Sequence, residues 1–497
     1  MTAIITEKFR QHNATQFFES FSEAAKSTYY LFIGKSLPFT TGTTGGNDSS
    51  PPTPADSVSG EFYNWDAMIA AKNIASTDVT FALPRVNWVN STVYDMYDDT
   101  ISSSNTTTSG ASSLYAGNFY FVTSDNNVYK VLDNNGGSAF SGSEPSNTGT
   151  TPFASGGYVL KYMYTITASE ATKFLTTDYM PVSTDTTVSA AATDGKIESL
   201  VVTAGSGYTN GTYYAAIFGD GASQGTSSGG IVRITVSGGA IQSFGLTAGT
   251  DTTIQAGGSG YTFANINLSS VFSDASLSSS ASIGSGTGGA IRAVISPKDG
   301  HGNDAVAELG GHFVMTNTTL AQAEGDDLTT ANDFRNVGIV VDPTTYGTST
   351  VATASTARMT YVVKFSSSSG TFDVDEQITQ ATTGAVGRVV EWDSTRKLLY
   401  YSQERFSTYG TAATTQSYTA FSGTNTITGA TSSATGTPSS TSSETVTLAG
   451  GNTIAFTSGY ANPELQPDSG NIVYIENRKP IQRVSDQTED IKIIIEF

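Results

Sequence analysis

The sequence predicts a mostly β protein, and three observations carry that prediction. Glycine supplies 51 of 497 residues, about a tenth of the chain against a usual ~7 %. Charged residues make up only 14 %, against roughly 25 % in an average globular protein. Thr, Tyr, Phe and Val recur in short runs separated by Gly, Ser and Thr, which suits pleated strands joined by tight turns. With 10 % aromatics there is ample material for a core, and the length calls for two to four domains.

Taken in order, residues 6–25 place Phe9, Phe17, Phe21 and Ala24 near helical spacing, with Thr6 and Glu7 as N-cap and first-turn acid. That predicts an amphipathic helix. TYYLFIG (28–34) is a strand, followed by a long polar loop whose prolines forbid regular structure. A second short helix is expected from Tyr63 to Asn73, where Trp65, Met68 and Ile69 share a face. NFYFVTSDNNVYKVLDNNGG (118–137) reads as a hairpin turning at Asp125–Asn127, GYVLKYMYTIT (157–167) as another strand, and FRNVGIVVDP (334–343) as a buried one.

The texture changes near residue 190, where three segments recur. GKIESLVVTAG at 195 matches GAIQSFGLTAG at 239, GSGYT at 205 matches GSGYT at 258, and GGIVRITVS at 229 matches GGAIRAVIS at 288. Two copies of a small β unit are implied, each burying little unless it packs on its twin. A second loose region, 347–459, alternates like hairpins and ends in a Ser/Thr tract at 425–447 with few groups to bury. The expected plan is a β-sandwich-like core built by both chain ends: 1–186, 288–346 and 460–497. The inserted modules are 187–287 (Gly-rich repeat) and 347–459 (Ser/Thr-rich).

The net charge of −20 repels phosphate backbones, so nucleic-acid binding is not expected. The absence of cysteine excludes disulfides and thiolate sites. Charges at Glu7, Lys8 and Arg10 argue against a signal peptide, and no apolar window is long enough to span a membrane. The expectation is a soluble protein made in a cytoplasm.

Chemical motifs are few. GTSSG (225–229) fits the nucleophile-elbow pattern and GSGTGG (284–289) a dinucleotide loop, but each precedes a strand where a helix is required. Asp373, Asp375 and Glu376 form an acidic cluster that a solvated hairpin edge explains. In HGNDAVAELGGH (301–312) a continuous helix would align Asp304, Glu308 and His312 as a candidate metal set. Gly310 and Gly311, as helix terminators, would instead leave them in turn structure. No catalytic residue and no cofactor is expected.

The two ends carry a resemblance. TAIITEKFRQHNATQFFESF, YYLFIGKSLPF, PADSV and LPRVNW at one end, and IVYIENRKPIQRVSDQTEDIKIIIEF at the other, resemble the baseplate wedge subunit family of T-even-type contractile-tailed bacteriophages. The resemblance covers about residues 1–183, 290–345 and 468–497, and leaves the two loose regions as insertions. It implies a non-enzymatic, mostly β homodimer built into the tail baseplate of a virion. There it would sit beside other wedge proteins and tail-fibre attachment proteins, after assembly in the host bacterial cytoplasm. The alternatives are a receptor-binding adhesin, with Tyr208 and Tyr261 of the GSGYT units offered to sugars, and a virion-associated polysaccharide depolymerase.

In the tail, Ile491, Ile493, Ile495 and Phe497 alternate onto one face of a strand that can be fully buried. IVYIE supplies a neighbouring strand and ENRKP a connection fixed by Pro480. The charged positions Glu476, Arg478, Asp486, Gln487 and Glu489 are the candidate assembly interface.

Overall fold

The computed structural model describes residues 5–35, 37–39, 46–405, 411–412, 417–485 and 487–497. It is 39 % strand and 11 % helix, so the chain is mostly β with a few short helices. Two compact units divide it: 1–16, 80–315 and 494–497 in the first, 17–79 and 316–493 in the second. Each unit therefore draws on both ends of the sequence.

The second unit is organised by a five-stranded sheet. Its strand order is Thr356–Arg358, Met68–Asn73, Tyr29–Gly34, Asp333–Val341, Asn471–Gln482. Strand Asp333–Val341 is almost wholly buried and runs between the N-terminal strand and the C-terminal one, both antiparallel to it. Tyr30, Phe32, Trp65, Met68 and Val340 form the core beneath. The expected helix Tyr63–Asn73 is corrected. Helix Val58–Ala67, capped by the Ser57 hydroxyl on Gly60 N–H (3.1 Å), stops at Ala67, and Met68–Asn73 is a strand. The run Met68-Ile69-Ala70-Ala71 is buried all round, and a strand between two neighbours buries both faces where a surface helix buries one.

The Ser/Thr-rich region closes on itself. Strands Tyr361–Ser369, Leu398–Ser402, Val386–Asp393, Gln377–Gln380, Ile427–Gly429 and Thr435–Pro438 pair in a ring, since the first pairs with both Leu398–Ser402 and Thr435–Pro438. This is a small barrel, and closure removes exposed strand edges. Its core holds Phe365, Phe372, Val389, Tyr401, Phe421 and Ile427. The 425–447 tract, read as having little to bury, contributes two of these strands. Ile427 is fully buried, and Gly436 is required because a Cβ there would lie 2.4 Å from the Phe365 ring.

In the first unit, the hairpin Tyr120–Val122/Asn127–Asp133 turns at Asn126 (φ +62°) as the sequence predicts. It continues through Tyr158–Thr165 to Phe153–Ser155. The two repeat copies interlock reciprocally. The first strand of copy one, Ser199–Thr203, pairs with the last of copy two, Ala290–Val294, and the start of copy two, Ala240–Ile241, pairs with the last strand of copy one, Ile231–Ser237. Equivalent bonds recur across the pair. Tyr208 N–H donates to Gly239 O and Tyr261 N–H to Gly195 O, while Ile197 N–H donates to Gly257 O and Ile241 N–H to Ala204 O. Neither copy has a complete core without the other, as burial in so small a unit demands.

The N-terminal helix runs Glu7–Glu19 and is shorter than expected. Phe21 and Ala24 lie beyond it, Phe9 is 54 % exposed, and Ala14 is its buried residue. The C-terminus is corrected twice. IVYIENRKPIQ is one continuous strand, Asn471–Gln482, not a strand and a connection. Pro480 is tolerated because register shifts opposite Phe334–Asn336, a bulge where no ladder donor is required. In the last strand, Thr488–Glu496, only Ile493 of the alternating face is fully buried, while Ile491, Ile495 and Phe497 are half-buried. Ile494, on the opposite face, packs against the cluster of Ala82, Phe174, Phe313 and Met315, so apolar contact is shared between both faces.

Candidate functional site

Helix Ala305–Leu309 begins at Asp304, whose carboxylate accepts from Ala307 N–H (3.0 Å), and ends at Gly310 in the left-handed conformation (φ +86°). The continuous helix that would align Asp304, Glu308 and His312 does not form. Asp304 is a cap, Glu308 points into the core, and His312 Nδ1 meets Gly310 O at 2.8 Å. Among the described residues no group of three His, Cys, Asp or Glu side chains gathers as a metal would need.

Glu308 belongs instead to a sealed charge cluster. Lys130 Nζ lies 2.9 Å from Glu308 Oε2 and 2.9 Å from His301 Nδ1, and stands 3.9 Å above the Tyr97 ring. Glu308 Oε1 accepts from Gly302 N–H at 2.7 Å. Lys130, His301 and Glu308 are each 3 % exposed or less. Desolvation opposes charge on all of them. It takes His301 down to about 4 and lowers Lys130. The carboxylate of Glu308 is nevertheless held at about 2, because Lys130 and then His301 outweigh its burial. Lys130 sits directly across from Lys161, a like-charge pair that is destabilising unless each finds its own acid. Lys161 has Glu198 at 3.8 Å. The sequence held a signal for this: NVYKVLD and YVLKYMY each set one lysine inside an apolar strand.

Beside the cluster opens a recess of about 380 Å³ bordered by Glu7, Tyr97, Asp98, Asp99, Tyr115 and Glu308. Its acids are engaged. Arg292 forms ion pairs with Asp98 and, at 3.4 Å, with Asp99. The two chain ends meet nearby: Arg10 bonds Glu496 and the Phe497 carbonyl, and His312 stands 3.6 Å from Glu7 and 3.8 Å from Glu496.

The other motifs resolve into turns. Tyr261 is 1 % exposed, donates to Ile217 O (3.0 Å) and accepts from Gly230 N–H (3.2 Å). Tyr208 accepts from Gly289 N–H (2.9 Å). Added Cβ atoms at Gly286 and Gly289 would overlap the Tyr208 ring, and at Gly221 and Gly258 the Tyr261 ring. Gly286 and Gly289 of GSGTGG thus make room for a tyrosine, and neither GSGYT unit presents a ring to a sugar. Glu376, read as part of a solvated edge, is 5 % exposed and organises a turn. It accepts from Asp373, Thr431 and Ser432 N–H and from the Ser432 hydroxyl. Although burial pushes its carboxyl up, those bonds, led by Ser432, bring it below the usual range.

The assembly candidates divide. Glu476 and Arg478 pair with each other at 2.7 Å, both well exposed, on the outer strand of the five-stranded sheet. Tyr474 OH donates to Glu476 Oε2 at 2.8 Å. Gln487 is exposed, and Asp486 lies outside the described residues. Glu489 is 8 % exposed and pairs with the buried Arg483 at 3.1 Å, so it faces the interior. The outer strand also leaves Val473 52 % exposed, and a strand edge of this kind is a ready template for pairing.

Comparison with known families gives a match that falls on the strands that flank Asp333–Val341. The matching family is Phage-Gp8, bacteriophage T4 Gp8. Its residues here are 3–135 and 440–497, less than half of the chain, and they omit both the repeat module and all six strands of the barrel. The match supports a phage baseplate wedge family, structural in kind, with a place in the virion tail baseplate. No curated protein matches. Like the Gp8-matched segments, the rest of the described chain has no helix long and apolar enough to cross a membrane.

Proposed function

We propose that this protein is a structural subunit of a phage tail baseplate wedge. In this reading it works as a homodimer, assembles in the host cytoplasm with other wedge proteins and tail-fibre attachment proteins, and takes part in the contractile injection machinery. One observation carries the reading. The two segments matched by the Gp8 family, far apart in sequence, lie on either side of the single buried strand Asp333–Val341. The matched ends thus share a folded frame, with 136–439 threaded through it. The exposed edge at Glu476 and Arg478 offers main-chain groups to a neighbour. Fitting the chain into a cryo-electron microscopy map of the intact virion tests the proposal, with density for it in each baseplate wedge expected. Its absence from the baseplate rejects it. Light scattering of the purified chain tests the homodimer separately, and a monomeric mass at micromolar concentration would remove that part.

A further inference from the structure

Each copy of the repeat carries one arginine at the same place, Arg233 in GGIVRITVS and Arg292 in GGAIRAVIS. Both strands close their copy, and each pairs with the opening segment of the other copy. Arg292 holds a segment from outside the module: its guanidinium pairs with Asp98 and Asp99, and the N–H of Ile295, the residue just past the strand, donates to Asp99 at 3.0 Å. Thr100 completes the grip with N–H and hydroxyl bonds to Asp98 at 2.9 and 2.8 Å.

Arg233 has no such loop. Among the described residues its guanidinium reaches only the Thr235 hydroxyl at 3.3 Å and the Thr212 hydroxyl at 3.4 Å. Among the described residues no carboxylate pairs with it, although the chain carries 44 acids and 24 bases. It is half-buried next to Tyr214, its register partner. A guanidinium with part of its hydration removed gains most from a carboxylate that accepts two parallel N–H bonds. The strand edge next to Arg233 is filled by Thr253–Ala256, so an incoming group meets the face of this sheet.

We infer that the Arg233 face docks an acidic segment of another polypeptide, one presenting consecutive carboxylates as Asp98 and Asp99 are presented to Arg292. The face lies outside the segments matched to the Gp8 family, so the inference stands apart from the baseplate reading. The test uses the full chain and a fluorescent peptide of residues 94–102, titrated at low salt and followed by anisotropy. Saturable binding is expected, weakened about tenfold or more by Arg233→Gln, less so by Arg233→Lys, and abolished when Asp98 and Asp99 of the peptide are replaced by asparagine. Arg233→Lys keeps the aliphatic stem and serves if Arg233→Gln does not fold. Absence of binding up to about 1 mM peptide, or binding indifferent to both substitutions, overturns the inference.

Discussion

Lys130 Nζ sits 2.9 Å from Glu308 Oε2 with both side chains closed off from solvent. The pair ties the strand Asn127–Asp133 to the short helix Ala305–Leu309, elements separated by the whole repeat module. Removing one partner leaves the other charge buried and unpaired. Glu308→Ala should therefore lower stability by about 3–5 kcal/mol, read as a fall in the urea midpoint. The double substitution Lys130→Met with Glu308→Leu should recover much of that loss, because two apolar groups leave no unpaired charge. A single variant as stable as wild type would show that the cluster is hydrated.

The tyrosines of the two GSGYT units give a second, paired prediction. The Tyr261 hydroxyl satisfies two backbone groups, Ile217 O and Gly230 N–H, and is fully enclosed. The Tyr208 hydroxyl accepts from Gly289 N–H alone among the backbone donors described. Phenylalanine keeps each ring and strips the hydroxyl, at about 1–3 kcal/mol for buried groups left unpaired. Tyr261→Phe should lower the thermal midpoint more than Tyr208→Phe. The reverse order would contradict this assignment of hydrogen bonds.

What was legible in the sequence follows from which signals are local. Strands Tyr29–Gly34 and Asp333–Val341 and the 120–133 hairpin announce themselves through apolar runs and an Asp-Asn-Asn turn, and the repeat is visible by inspection. The reciprocal interlock is not, because GSGYT looks the same whether its tyrosine faces solvent or plugs its twin. Met68–Asn73 is ambiguous in sequence, since four consecutive apolar residues fit a helix face as well as a buried strand. Glu489 looked exposed because Arg483, six residues earlier, gives no sign in sequence of folding back over it. Asp98 and Asp99 carry no local signal of their role, which depends on Arg292, far away in sequence, lying beside them.

Glu391 gives a pH-dependent prediction. It stands in the barrel strand Val386–Asp393, and burial, then Asp393 and Asp326, raise its carboxyl to about 7, with Arg483 opposing. A carboxyl whose folded value is raised favours folding while protonated. That contribution is complete below the unfolded value near 4.5 and is lost as pH rises through 7. Glu391→Gln should match wild type at pH 4.5 and exceed it at pH 8 by an amount on the order of 2 kcal/mol, seen as a widening gap between thermal midpoints. A constant gap across that range would assign the effect to packing.

Gly338 tests the frame itself. It lies mid-strand in Asp333–Val341, opposite Phe32 on one side and Ile475 on the other. A Cβ there would come within 2.4 Å of both the Phe32 ring and the Tyr474 carbonyl oxygen. The contacts belong to the two segments matched to Gp8, so one methyl group presses on both ends of the chain at once. Overpacking a full core costs about 1–3 kcal/mol where side chains can shift, and the Tyr474 carbonyl is backbone. Gly338→Ala should therefore fall at the upper end of that range or leave little soluble protein. Phe32→Leu should relieve only the ring contact, so Phe32→Leu with Gly338→Ala is expected to recover part of the solubility of Gly338→Ala. Complete recovery would mean the C-terminal strand yields freely, and full solubility of Gly338→Ala alone would mean that these three strands do not pack as a single sheet.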